Sequence, residues 1–156
     1  MNDVRRLFLK ATMATGTVAV AAGAGLLTPR AVMAAWPKDA FESEKLNEAI
    51  KIINGGSSAT NSKDITVEAP DIAENGAVVS VTIKTTIPNA EKITVLVAEN
   101  GHPLAASYIL GKQTDGFVTG RIKMRKTSDV VAIVKAGDKL YSAKKPVKVT
   151  LGGCGG

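Results

Sequence analysis

The stretch Ala77-Val78-Val79-Ser80-Val81-Thr82-Ile83-Lys84-Thr85-Thr86-Ile87 alternates apolar and β-branched residues with polar ones. Period two puts successive side chains on opposite faces of an extended chain, so this is a strand with one buried face. The same pattern continues on both sides. It predicts strands near 64–69, 77–87, 92–99, 104–110, 117–126, 130–136 and 139–150, separated by Pro70, Asn75-Gly76, Pro88-Asn89, Asn100-Gly101, Asp115-Gly116 and Gly137-Asp138. Seven short strands with frequent turn signals predict a mainly β fold, an immunoglobulin-like antiparallel β-sandwich over residues 64–150. Val78, Val79, Val81, Ile83, Ile93, Val95 and Val97 are its expected core.

Upstream the period changes. Asp39 with Glu42 has the spacing of a capping box, Leu46, Ala49, Ile50 and Ile53 recur at helical spacing, and Asn54-Gly55-Gly56 supplies a stop. One amphipathic helix is expected there, followed by a Ser-, Thr- and Asn-rich connection from Ser57 to Lys63, so that residues 35–63 form a helix and loop preceding the sandwich. Trp36 either packs this helix or lies at its free end.

Residues 1–34 read as an export signal. Val4-Arg5-Arg6-Leu7-Phe8-Leu9-Lys10 is a twin-arginine pattern around Arg5 and Arg6, and Ala11 to Leu27 is uncharged. That run is rich in Ala, Gly and Thr and short for a bilayer about 30 Å thick, so it is a poor permanent anchor. Ala31-Val32-Met33-Ala34-Ala35 offers small residues for cleavage after Ala34 or Ala35. The expected product is a folded periplasmic domain of 122 residues, with no stable membrane anchor. Twin-arginine export carries folded cargo, often with a cofactor or a bound partner, so something is expected to be assembled before export, and the signal does not say what.

Charge and composition exclude several functions. Of 20 basic and 14 acidic residues, four and one lie in residues 1–34, leaving a net charge of +3 beyond them, too mild to argue for nucleic acid. Arg121, Lys123, Arg125 and Lys126 have the spacing of one solvated strand face. The single histidine, His102, sits in a turn and faces solvent on this reading. One histidine and one cysteine cannot furnish a copper, zinc or iron–sulfur site, no phosphate-binding loop is present, and no cofactor is expected.

The remaining feature is the ending Gly152-Gly153-Cys154-Gly155-Gly156. Four glycines leave the only thiol unhindered on a tether with little conformational preference, a mobile arm over residues 151–156. Counted from Val149, five residues at roughly 3.3–3.6 Å each carry the sulfur about 17 Å from the body, enough to enter another protein's active site. The thiol, near its ordinary pKa of about 8.5 and close to a terminal carboxylate, is a poor nucleophile at neutral pH, so its activation belongs to a partner. An unpaired cysteine in an oxidising compartment also fits intermolecular pairing. Two alternatives stay open: a structural sandwich whose terminal cysteine forms intermolecular disulfides, and, less readily in an exported chain, sulfur carried on a terminal Gly-Gly carboxylate.

The twin-arginine signal, the stretch Ile65 to Val79 and above all Val147-Lys148-Val149-Thr150-Leu151-Gly152-Gly153-Cys154-Gly155-Gly156 resemble the SoxY family, the sulfur-carrier subunits of bacterial thiosulfate oxidation. The resemblance implies a non-catalytic periplasmic carrier in a heterodimer with SoxZ, exported alongside it. It implies that Cys154 is the covalent attachment point, loaded with thiosulfate by the SoxAX cytochrome, relieved of sulfate by SoxB, and served further by the sulfane dehydrogenase SoxCD where that is present. Gly152, Gly153, Gly155 and Gly156 then provide flexibility and access, and a disulfide-linked dimer of heterodimers is a further possible state.

Overall fold

A computed structural model describes residues 37–151 of the chain. Two short helices, α1 (Lys38–Glu42) and α2 (Leu46–Asn54), precede nine strands: β1 (Thr60–Asn61), β2 (Ile65–Glu68), β3 (Ile72–Asn75), β4 (Val79–Thr85), β5 (Lys92–Val97), β6 (Leu104–Ile109), β7 (Phe117–Ile122), β8 (Ser128–Ala136) and β9 (Lys139–Leu151). They form two sheets. The larger runs β1-β9-β8-β5-β6, with β3 also on β9, and the smaller is β2-β4-β7. This is the mainly β, immunoglobulin-like sandwich that the alternating pattern predicts.

Between the sheets, Val79, Val81 and Ile83 of β4 meet Ile93, Val95 and Val97 of β5 and Val130, Ala132 and Val134 of β8, with Ile65, Ala73, Ile122, Met124 and Val147 completing the buried cluster. Six of the seven expected core residues are therefore buried. Val78 is not: it lies in the turn before β4 and is 56% exposed, because alternation from the buried Val79 turns its neighbour outward.

The opposite face of the larger sheet is covered by the helices. Ala40, Ala49, Ile50 and Ile53 pack on Leu96, Leu104, Ile133 and Leu140 as a second buried cluster. Double coverage explains why β5 reads Ile93-Thr94-Val95-Leu96-Val97, apolar at four of five positions rather than alternating. Thr94, the polar exception, donates its hydroxyl to Asn54 Oδ1 at 3.2 Å.

Several local expectations are corrected. The single helix is two, because Ser43 is extended (φ −63°, ψ 131°) and its Oγ bonds the backbone of Lys45, competing with helix continuation. The Asp39/Glu42 capping box does not form, since Pro37 occupies the N-cap position of α1 without a side-chain bond. Gly55 closes α2 as expected, with φ 78° and its N–H on the Lys51 carbonyl at 2.9 Å. The connection 57–63 contains β1, and β3 lies where only a turn was expected. Both pair with β9 in parallel, so the sandwich is not wholly antiparallel. β7 ends at Ile122, which leaves only Arg121 of the basic cluster on a strand and places Lys123, Arg125 and Lys126 in the following loop. β9 extends one residue past the expected boundary, to Leu151.

Candidate functional site

Cys154, Gly152, Gly153, Gly155 and Gly156, together with Arg5, Arg6 and Trp36, lie outside the described residues. What is described is the point from which the cysteine-bearing segment departs, and it is tightly held. β9 is the longest strand among the described residues, with 13 residues. Through Val147 it pairs with β8, where Ser128 is its last partner. Beyond that the ladder is replaced on both sides. On one side the Thr127 hydroxyl accepts from Val149 N at 3.0 Å and reaches the Val149 carbonyl at 3.4 Å. On the other, β3 pairs Ile72 with Lys148, Ala73 with Val149 and Asn75 with Leu151, while Lys148 N donates to the Asp71 carbonyl at 2.9 Å. The Thr150 hydroxyl adds a bond to the Glu74 carbonyl at 3.0 Å.

Gly76 makes the last link. Its N–H donates to the Leu151 carbonyl at 2.7 Å, and its own carbonyl accepts from Met124 N at 2.7 Å. One residue thus ties the end of β9 to the β7–β8 loop and, through Met124, to the sandwich core, where Met124 is fully buried. Leu151 itself is 70% exposed at the end of the sandwich.

This geometry revises the reach. The anchored chain ends at Leu151 rather than Val149, so Cys154 is only three Cα steps from a fixed backbone, with Gly152 and Gly153 between. At roughly 3.3–3.6 Å per residue the Cys154 Cα can lie at most about 11 Å from Leu151. Any protein that receives this cysteine must therefore come against the end of the sandwich.

The loop beside the root is also fixed. The Asn100 side chain donates through Nδ2 to the Lys123 carbonyl at 2.7 Å and accepts from Arg125 N at 3.0 Å, and Lys126 pairs with Glu99 at 3.1 Å. His102 is exposed, as its turn position implies, and its Nδ1 donates to the Glu42 carbonyl at 3.1 Å, a tie between this end and α1. Among the described residues no group of three or more His, Cys, Asp or Glu is arranged to hold a metal ion. No helix among them is long and apolar enough to cross a membrane. A depression of about 680 Å³ lined by Ile87, Ala90, Leu110, Lys112 and Thr114 lies at the opposite end of the sandwich, remote from Leu151.

The anchor of β9 was not read from the sequence. Asn75-Gly76 was legible as a turn, yet nothing local announces that Gly76 bridges two strands, or that the Thr127 hydroxyl substitutes for a ladder bond.

No curated protein matches the chain. Among solved structures it is similar to the sulfur carrier protein SoxY from Chlorobium limicola f thiosulfatophilum, with 41% identity and a TM-score of 0.63 over 69% of this chain and 97% of that one. A superoxide reductase (neelaredoxin) from Ignicoccus hospitalis aligns at 22% identity and a TM-score of 0.49, covering 55% of this chain and 79% of that one. The family model described as "Sulfur oxidation protein SoxY" matches residues 50–154, a span that starts in α2, takes in all nine strands and closes on the cysteine. With two thirds of its length matched by that model, the chain belongs to the SoxY family of sulfur oxidation proteins.

Proposed function

We propose that this chain is a periplasmic sulfur-substrate carrier that holds thiosulfate-derived intermediates on the Cys154 sulfur and presents them to separate enzymes. The observation that carries this reading is the anchoring of β9 through Leu151, which gives the following Gly-Gly-Cys a fixed point of departure from a rigid body. A carrier needs that combination: the sandwich supplies recognition and stability, and the short tether supplies entry.

Loading joins the thiol to thiosulfate. The S–H bond is broken, an S–S bond to the sulfane sulfur forms, and one proton and two electrons leave, the electrons to the SoxAX cytochrome. The product is an anionic cysteine S-thiosulfonate. SoxB then adds water across the bond to the sulfonate sulfur, releasing sulfate and leaving a persulfide on Cys154. SoxCD oxidises that remaining sulfur where it is present. In this scheme the chain is not itself a catalyst and needs no resident cofactor, SoxZ is its heterodimer partner, and Arg5 and Arg6 direct export of the folded pair. Gly152, Gly153, Gly155 and Gly156 keep the approach to the sulfur free of side chains.

The test is reconstitution. Reduced chain with SoxZ, thiosulfate and oxidised SoxAX should reduce the cytochrome by two electrons per Cys154 and gain one thiosulfate mass. Cytochrome reduction that is undiminished with Cys154→Ser would overturn the reading.

A further inference from the structure

We propose that Lys92 and Lys135, with the side-chain amide of Asn54, form a binding site for a small divalent oxyanion of the sulfate class where the end of α2 meets the larger sheet. The site is built without the cysteine-bearing segment and does not depend on the carrier reading.

Register sets the two lysines against each other. Lys92 of β5 and Lys135 of β8 are direct partners in an antiparallel pair, so both side chains stand on one face of the sheet. That face is the one α2 covers, because Thr94 and Leu96 follow Lys92 on it, Thr94 bonded to Asn54 and Leu96 packed under the helices. Both lysines are half-buried. The Lys92 ammonium donates to the Ile53 carbonyl at 2.7 Å, one of its three donors. Like charges directly across a strand pair repel, and the Lys135 charge adds to burial in lowering the Lys92 pKa.

No carboxylate relieves this repulsion. Among the described residues neither lysine has an acidic partner within ion-pair distance. Glu91 alternates away from Lys92 and lines the depression beside Ile87 and Leu110, while Glu48 on α2 and Asp138 in the β8–β9 turn are exposed and pair with neither lysine.

Asn54 supplies an independent sign of a missing acceptor. It is the last residue of α2, adjacent to the carbonyl that Lys92 holds, and only 4% exposed. Its Oδ1 accepts from the Thr94 hydroxyl at 3.2 Å, but its buried Nδ2 has no hydrogen-bond partner among the described residues. A buried donor without an acceptor is destabilising. A doubly charged oxyanion answers both needs, accepting from the amide and offsetting two ammonium charges; a neutral acceptor would answer the first alone. The partial negative charge of the helix end opposes an anion, but here the Ile53 carbonyl is taken by Lys92 and the Lys51 carbonyl by the Gly55 N–H at 2.9 Å.

The test is a titration of the full chain with sodium sulfate, against sodium chloride at matched ionic strength, followed by amide proton–nitrogen spectra. Sulfate should shift the Asn54 side-chain NH2 signals and the backbone amides of Lys92 and Lys135 along a saturating curve, and chloride should not. Lys135→Gln should weaken the sulfate affinity at least about tenfold, since it removes one of two charge-assisted contacts, and Lys135→Arg should keep it. In each variant, undisturbed amide positions in β4 and β7 report that the sandwich is folded. Shifts in the parent that fail to saturate or are matched by chloride overturn the site, as does an affinity unchanged by Lys135→Gln.

Discussion

Two residues, Gly152 and Gly153, separate the last anchored position from the cysteine, and each must leave the sulfur accessible. Gly153→Val adds a β-branched side chain beside the thiol, stiffening the segment and narrowing its entry into a partner. It should slow thiosulfate loading at least about tenfold while leaving the thermal midpoint of the sandwich unchanged, because Gly153 lies beyond β9. A loading rate equal to the parent's would show that access is not limiting. Glycine matters for a different reason inside the fold. A Cβ on Gly116 would lie 2.5 Å from the Thr85 carbonyl and 2.6 Å from Thr85 Cγ2, and Thr85 is itself fixed by donating its N–H to Gly116 O at 2.7 Å. Gly116→Ala should therefore cost about 1–3 kcal/mol in denaturant unfolding. Gly120→Ala meets only the movable tip of Tyr108 and should cost less.

At the level of elements, the end of β9 depends on a side chain where the ladder stops. Thr127→Val removes the hydroxyl that accepts from Val149 N while keeping the shape, and should cost about 1–2 kcal/mol, with faster amide exchange at Val149. Exchange at Val149 unchanged from the parent would mean that β3 alone holds the strand. The α2–β5 junction has a pH signature. Lys92 Nζ donates to the Ile53 carbonyl at 2.7 Å at the end of α2, and burial, then the neighbouring Lys135, lowers its pKa below 10.5. The unfolded chain thus keeps this proton to higher pH than the folded one, so the Lys92 contribution to stability grows as pH rises through the folded value toward 10.5. The stability difference between the parent and Lys92→Gln should shift in the parent's favour over that interval, and a shift in the opposite sense would contradict the assignment. The long strands were legible because their alternation is dictated by one buried face. β1 and β3 were not, because Thr60-Asn61 is too short to carry a period and Ile72-Ala73-Glu74-Asn75 does not alternate, and both are strands by pairing with β9. The break at Ser43 was hidden for a related reason: the helical spacing of Leu46, Ala49, Ile50 and Ile53 is real, but it says nothing of where the preceding turn ends.

On the scale of the molecule, two buried layers share the larger sheet, one between the sheets and one beneath the helices. Ile50→Ala should cost about 2–5 kcal/mol, because it opens the second layer against Leu96 and Ile133; a loss confined to a few tenths would mean that the helices dock independently of the sandwich. The candidate residue Cys154 was legible in the sequence, since a lone cysteine among four glycines is a composition no core or turn requires. Its distance limit was not, because that depends on Gly76 joining segments far apart in sequence. The most direct test of the central claim is the intact mass of the protein purified from cells grown on thiosulfate, before and after reductant, with Cys154→Ser alongside. Reductant-sensitive additions of sulfur or sulfonate groups on the parent, missing from the variant, are the predicted result. An unmodified thiol, or a protein disulfide as the sole modification, would contradict the carrier account and favour a structural role for Cys154.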